Sequence, residues 1–172
     1  MTSKIPSPFP QLAGPHFEGQ LIAQPTAKFA IVYARFNEFV VDELLEGALN
    51  AFARVGVAAE NITTLRVPGV WELSATLSRL AQSGQFSAVI ALGAGIRGAT
   101  SHYDYVAGEA ARGAAAASAD SKVPVIFGVL TCDTIEQAIE RAGTKAGNKG
   151  AEAALTAVEM SDLFSQLTKK GL

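Results

Sequence analysis

The chain has 172 residues, 49% of them apolar and 17% charged, with a formal net charge of −2. These figures fit one compact domain with a real core and argue against disorder, and so slight a charge implies no basic face for nucleic acid. One cysteine, Cys132, and two histidines, His16 and His102, exclude an internal disulfide and the usual zinc sets, and they point to a reducing, cytoplasmic setting.

The N-terminal segment carries five of the seven prolines (Pro6, Pro8, Pro10, Pro15 and Pro25) and lacks a basic start followed by an apolar stretch. Residues 1–16 therefore read as a flexible or extended arm rather than a signal peptide, ahead of a single domain over residues 17–172. No uninterrupted apolar run reaches about 18 residues, so no membrane span is expected. Residues 17–23 suit either an additional edge strand or a strand that pairs with another subunit.

From there strand and helix signals alternate. Residues 28–34 form a short β-rich run, and Asn37 is a favoured N-cap for a helix over residues 38–55. Residues 61–67 predict a second strand, closed by the turn pair Pro68-Gly69 and followed by a helix over 71–82 that Ser83-Gly84 ends. Residues 87–92 predict a third strand; a glycine-bearing loop follows, and a helix runs over 101–119. Residues 124–130 predict a fourth. Thr134-Ile135-Glu136-Gln137 has the spacing of a capping box and starts a short helix ending near residues 142–143. A glycine-rich elbow over 143–150 leads into a last helix reaching residue 167.

Three of the four strands are continuous apolar runs, as buried parallel strands are. The expected fold is an α/β three-layer sandwich of flavodoxin-like type, with a central, mainly four-stranded parallel sheet and helices on both faces. The loops near Arg35-Phe36, Pro68-Gly69, Gly93 and Thr131 then share one rim, where such sheets bind ligands. Helix residues 107–119 are nearly all Ala, Gly or Ser. They suit close packing against neighbouring copies, or a tight packing of small residues within the chain.

Within that rim, Ile96-Arg97-Gly98-Ala99-Thr100-Ser101-His102-Tyr103-Asp104 carries the most chemistry. A glycine loop turning into a helix start offers free backbone N–H groups and the positive end of the helix dipole, a seat for phosphate. His102 lies in the first turn and can exchange protons near neutral pH. Together they point to chemistry on a phosphorylated small molecule. Two other motifs carry less. Gly93-Ala94-Gly95-Ile96-Arg97-Gly98 spells a dinucleotide fingerprint, which keeps a nucleotide-binding oxidoreductase as an alternative. However, the next strand ends Gly128-Val129-Leu130, without the acidic residue that a ribose requires. Residues 143–150 are only loosely P-loop-like: the glycine spacing is wrong and no Ser or Thr follows Lys149.

Five segments read in series resemble lumazine synthases. They are Arg35-Phe36-Asn37, Val67-Pro68-Gly69-Val70-Trp71-Glu72, the run from Ile96 to Asp104, Val123-Pro124-Val125-Ile126-Phe127-Gly128, and residues 136–150. The resemblance extends over residues 17–167 in family order. It implies a transferase without cofactor or metal, acting on small-molecule substrates. The reaction would condense 5-amino-6-(D-ribitylamino)uracil with 3,4-dihydroxy-2-butanone 4-phosphate to 6,7-dimethyl-8-ribityllumazine. Phosphate and water would leave, in the penultimate step of riboflavin biosynthesis.

The resemblance also implies roles for single residues. His102 would be the catalytic proton shuttle. Phe36 would stack on the pyrimidine, although its position alone reads as a hydrophobic staple against Val41. Asn37 would cap its helix and contact the pyrimidine. Backbone groups of Val70 and Trp71 would help hold the ribityl chain and pyrimidine, with core packing the alternative for Trp71. Glu72 would accept from the ribityl hydroxyls, and Ala94, Gly95 and Ile96 would read the heterocycle edge. The amides of Ala99 and Thr100 would bind phosphate, joined by the guanidinium of Arg141, with Arg97 able to assist. Phe127 and Arg141 would arrive from the adjacent subunit, Phe127 otherwise reading as a sheet-core aromatic. Lys145 and Lys149 are lesser candidates for the phosphate and the uracil carbonyl.

Assembly follows the same resemblance. It implies pentamers, in many members packed twelve to a 60-subunit shell, with active sites between adjacent subunits and riboflavin synthase as a candidate partner. The short elbow over 143–150 is similar to that of shell-forming members. A catalytically silent shell protein is the remaining alternative, against which Phe36, Glu72, His102 and Arg141 all weigh.

Overall fold

The computed structural model describes residues 14–172; all but the end of the expected arm lies outside the described residues. Four strands, β1 (Phe29–Ala34), β2 (Ile62–Val67), β3 (Ala88–Ile96) and β4 (Val125–Cys132), form a sheet in the order β2-β1-β3-β4. Every neighbouring pair is parallel. Side chains alternate across a strand, so Phe29, Ile31, Ile90 and Leu92 enter one core while Ala30, Val32, Val89 and Ala91 enter the other. Both faces of the central strands β1 and β3 are therefore buried, which is why those two are apolar; the edge strand β2, with Thr63, Thr64 and Arg66, is half exposed.

Helices α1 (Glu38–Arg54) and α5 (Lys149–Lys169) cover the first face; α2 (Leu73–Gln82) and α3 (His102–Ala119) cover the second. The result is the expected flavodoxin-like sandwich. In α1 the buried positions Val40, Val41, Leu44, Ala48, Ala51 and Phe52 recur at helical spacing, and the Phe52 ring lies 4.8 Å from that of Phe29. Helix α5 approaches α1 so closely that a Cβ at Gly150 would fall on the Leu44 carbonyl oxygen. The small residues of α3 serve a similar end. Ala107, Ala110, Ala114 and Ala117 are buried, and Gly113 meets Ser74 of α2. Internal packing thus accounts for that face, while Gly108, Ala111 and Ala115 stay exposed.

Four local expectations are corrected. Residues 17–23 form no strand in this chain; they run along α5, where the Asp162 carboxylate accepts from Gln20 N–H at 3.1 Å and Gln24 Nε2 at 3.2 Å. Strand β3 continues to Ile96, well past Leu92, because Gly93, Ala94 and Gly95 pair with Val129, Leu130 and Thr131 of β4. The elbow is a small antiparallel hairpin, β5 (Ala142–Thr144) with β6 (Gly147–Asn148). Finally, α4 (Ile135–Glu140) stops before Arg141. Its expected capping box holds in modified form. Thr134 Oγ1 accepts from Gln137 N–H at 3.3 Å, but the Gln137 side chain accepts from Asp133 N–H at 2.8 Å, one residue further out.

Candidate active site

The ends of β1, β2 and β3 and the start of α3 enclose a cavity of about 800 Å³. Backbone bonds carry the β1–β2 pairing past the strands: Arg35 N–H donates to Val67 at 2.7 Å and Phe36 N–H to Pro68 at 3.1 Å. Asn37 then takes φ 65°, the only positive φ at a non-glycine among the described residues. It occupies the N-cap position of α1 but makes no side-chain cap. Its Nδ2 instead donates to the Ala94 carbonyl at 2.7 Å, tying β1 to β3 at the cavity. Asparagine tolerates this left-handed conformation better than most residues. Phe36 is left 71% exposed on the cavity wall while Val41 is fully buried, so the staple reading is overturned.

Val70 is buried, and Trp71 and Glu72 stand exposed on the same wall at the start of α2. Trp71, 54% exposed, is not a core residue. Ala94, Gly95 and Ile96 line the opposite side from β3. Ser101 precedes α3 without a side-chain cap; the Asp104 N–H donates to the Ser101 carbonyl at 3.1 Å, and a helix start of this kind suits an anion. His102 and Thr100 both line the cavity, and the His102 N–H lies 3.4 Å from Thr100 Oγ1. Ala99 is exposed in the same loop.

The remaining residues gather elsewhere. Phe127, Arg141 and Lys149 line a second cleft of about 530 Å³ along β4 and α5. Phe127 is 41% exposed, so the sheet-core reading fails. Arg141 Nη1 donates to the Gln137 carbonyl at 2.9 Å and lies 3.7 Å from Glu140. Lys149 Nζ pairs with Glu152 at 2.7 Å, and Lys145 is exposed in the β5–β6 turn. A single chain does not bring these four residues to His102. Arg97 is spent on Asp104 and Asp133, and its hydrogen bonds to them, Asp104 first, hold its pKa above the ordinary value.

Tyr103, Tyr105 and Val106 also line the cavity and receive no role of their own from the sequence. The aromatic pair flanking Asp104 in the first turns of α3 was the available signal. The dinucleotide fingerprint loses its geometry: Gly93 and Gly95 are paired inside β3 and only Gly98 lies in the loop, so no tight turn carries the first glycine. Among the described residues no group of three or more His, Cys, Asp or Glu could hold a metal ion, and no helix is long and apolar enough to cross a membrane.

Fold and cavity together define a flavodoxin-like α/β protein whose site opens at the carboxyl rim of a parallel sheet. A family model described as 6,7-dimethyl-8-ribityllumazine synthase matches residues 26–165. A protein of that name from Halorhodospira halophila (strain DSM 244 / SL1) is 57% identical over 150 residues, covering 87% of this chain and 96% of its own. The chain belongs to the 6,7-dimethyl-8-ribityllumazine synthase family.

Proposed function

We propose that this chain condenses 5-amino-6-(D-ribitylamino)uracil with 3,4-dihydroxy-2-butanone 4-phosphate to 6,7-dimethyl-8-ribityllumazine, as a transferase in riboflavin biosynthesis. The observation that carries the reading is the shared cavity: aromatic walls from Phe36 and Trp71, a carboxylate from Glu72, and His102 at the start of α3. Phe36 stacks on the pyrimidine and Glu72 takes the ribityl hydroxyls, while Asn37, Val70, Trp71, Ala94, Gly95 and Ile96 bound the ring. The amides of Ala99 and Thr100 take the phosphate.

The amine of the pyrimidine attacks the butanone carbonyl, and water leaves to give an imine. Phosphate is eliminated, the enolic product rotates, and ring closure releases a second water. Each stage moves a proton, and His102 serves them in turn, a role typically giving about 10²–10⁴-fold. Holding both reactants side by side supplies much of the rest.

Phe127, Arg141, Lys145 and Lys149 enter the site from an adjacent copy. Support comes from their separation from the His102 cavity within one chain and from the second cleft that three of them line. A pentamer, and a 60-subunit shell built from pentamers, gives each cavity such a neighbour. Purified protein mixed with both substrates tests the reaction. Fluorescent lumazine and phosphate in equal amounts are expected; no product above the protein-free control rejects the reading.

A further inference from the structure

Arg97 sits between two residues of the cavity wall, Ile96 and Gly98, yet its side chain is not part of that wall. Its Nη2 lies 2.9 Å from Asp104 Oδ1 and its Nε 3.0 Å from Asp133 Oδ1. The guanidinium carbon stands 4.3 Å from the centre of the Tyr103 ring. Its backbone N–H donates to the Cys132 carbonyl at 2.9 Å. One residue therefore joins three pieces of chain: the end of β3, the first turn of α3 and the β4–α4 loop.

Residues 98–101 span the gap between those anchors, and every one of them is exposed. An exposed glycine-bearing loop with few contacts of its own opens readily. Loss of that order would be felt at binding, because a loop that must be ordered by its ligand binds it more weakly. We propose that Arg97 is a positioning residue: by bridging Asp104 and Asp133 and stacking on Tyr103, it fixes the loop of Ala99 and Thr100 and the backbone of His102 without touching substrate. The inference rests on the reading of that loop as the phosphate seat.

Two alternatives are separated by charge and shape. Arg97 faces two carboxylates, so the cluster carries no spare positive charge for an anion. Exposed ion pairs add little to global stability, but a fork shared between two carboxylates and stacked on a ring defines local geometry. A lysine keeps the charge and loses both the fork and the flat stacking surface.

Three variants test this in the full-length assembled protein: Arg97→Gln, Arg97→Lys, and Asp104→Asn combined with Asp133→Asn. The readouts are KM for each substrate, the dissociation constant for inorganic phosphate, and hydrogen exchange over residues 97–103 without ligand. Arg97→Gln is expected to raise the phosphate constant and the KM of the phosphorylated ketone about tenfold. It should also speed loop exchange and leave the pyrimidine KM unchanged. Arg97→Lys should behave likewise, and full retention by lysine overturns the clamp. The double variant frees the guanidinium and is expected to weaken phosphate binding too; tighter binding would make Arg97 an anion ligand and end the proposal. Unaltered loop exchange in Arg97→Gln ends it as well. A wild-type protein that binds phosphate and responds to these variants yet makes no lumazine would contradict the reaction, not the clamp.

Discussion

At φ 65°, Asn37 bends the chain out of β1 and secures Ala94 by a 2.7 Å bond, and Phe36 is thereby left on the cavity wall. Replacing Phe36 by Ala removes an exposed ring, so the thermal midpoint should hardly move. The pyrimidine KM is expected to rise about tenfold, the scale of a lost aromatic contact; calorimetry beside initial-rate kinetics checks both. Cys132 gives a second expectation. It is buried at the end of β4, and burial pushes its thiol pKa up. A raised pKa leaves less thiolate at any pH near neutrality. Alkylation of the native protein by iodoacetamide should therefore be slow below pH ~9 and accelerate as pH rises or the chain unfolds. Fast labelling at neutral pH would contradict the burial. At this scale residue types were legible in sequence and directions were not. Phe36 reads from its position alone as a staple, and only the structure shows its ring exposed on the cavity wall.

Among the elements, the α1–α5 contact depends on Gly150, where any side chain meets the Leu44 carbonyl. Gly150→Ala is expected to destabilise the fold by about 1–3 kcal/mol, read as a lower urea midpoint, with kcat little changed in the protein that remains folded. The strands β1 and β4 were legible as apolar runs, β2 by its β-branched residues and the Pro68-Gly69 turn that closes it, and the helices between them by the turn residues that punctuate the chain. The end of β3 was not. Gly93-Ala94-Gly95 has no side-chain pattern to mark a strand, and only its pairing with β4 shows that it is one. The hairpin of β5 and β6 was hidden for a related reason: three of its eight flanking residues from 143 to 150 are glycines, so nothing in the pattern distinguishes a hairpin from an open elbow. Residues 17–23 were compatible with an edge strand, but within this chain Gln20 is held by Asp162 on α5 instead.

For the whole molecule, the division of the proposed site between two clefts decides what assembly must do. Phe39, Ile135 and Ile139 are exposed on one chain outside the His102 cavity, apolar side chains that a neighbouring copy would cover. Light scattering is expected to give a mass of five or sixty chains; a monomer would contradict the shared site. Mixing makes the point more sharply. His102→Ala and Arg141→Ala subunits, each impaired alone, should recover activity when co-assembled, since some interfaces then join an intact His102 to an intact Arg141. No recovery would put both residues in one chain's site. That distribution was legible only through the family resemblance, because no pattern in a single chain says which residues a second copy supplies. The most direct measurement is turnover of both substrates by wild type and His102→Ala, with folding of the variant verified by circular dichroism. A fall in kcat of at least about tenfold, with both substrates still bound, is expected if the imidazole moves the protons. Equal kcat for the two proteins would contradict the account.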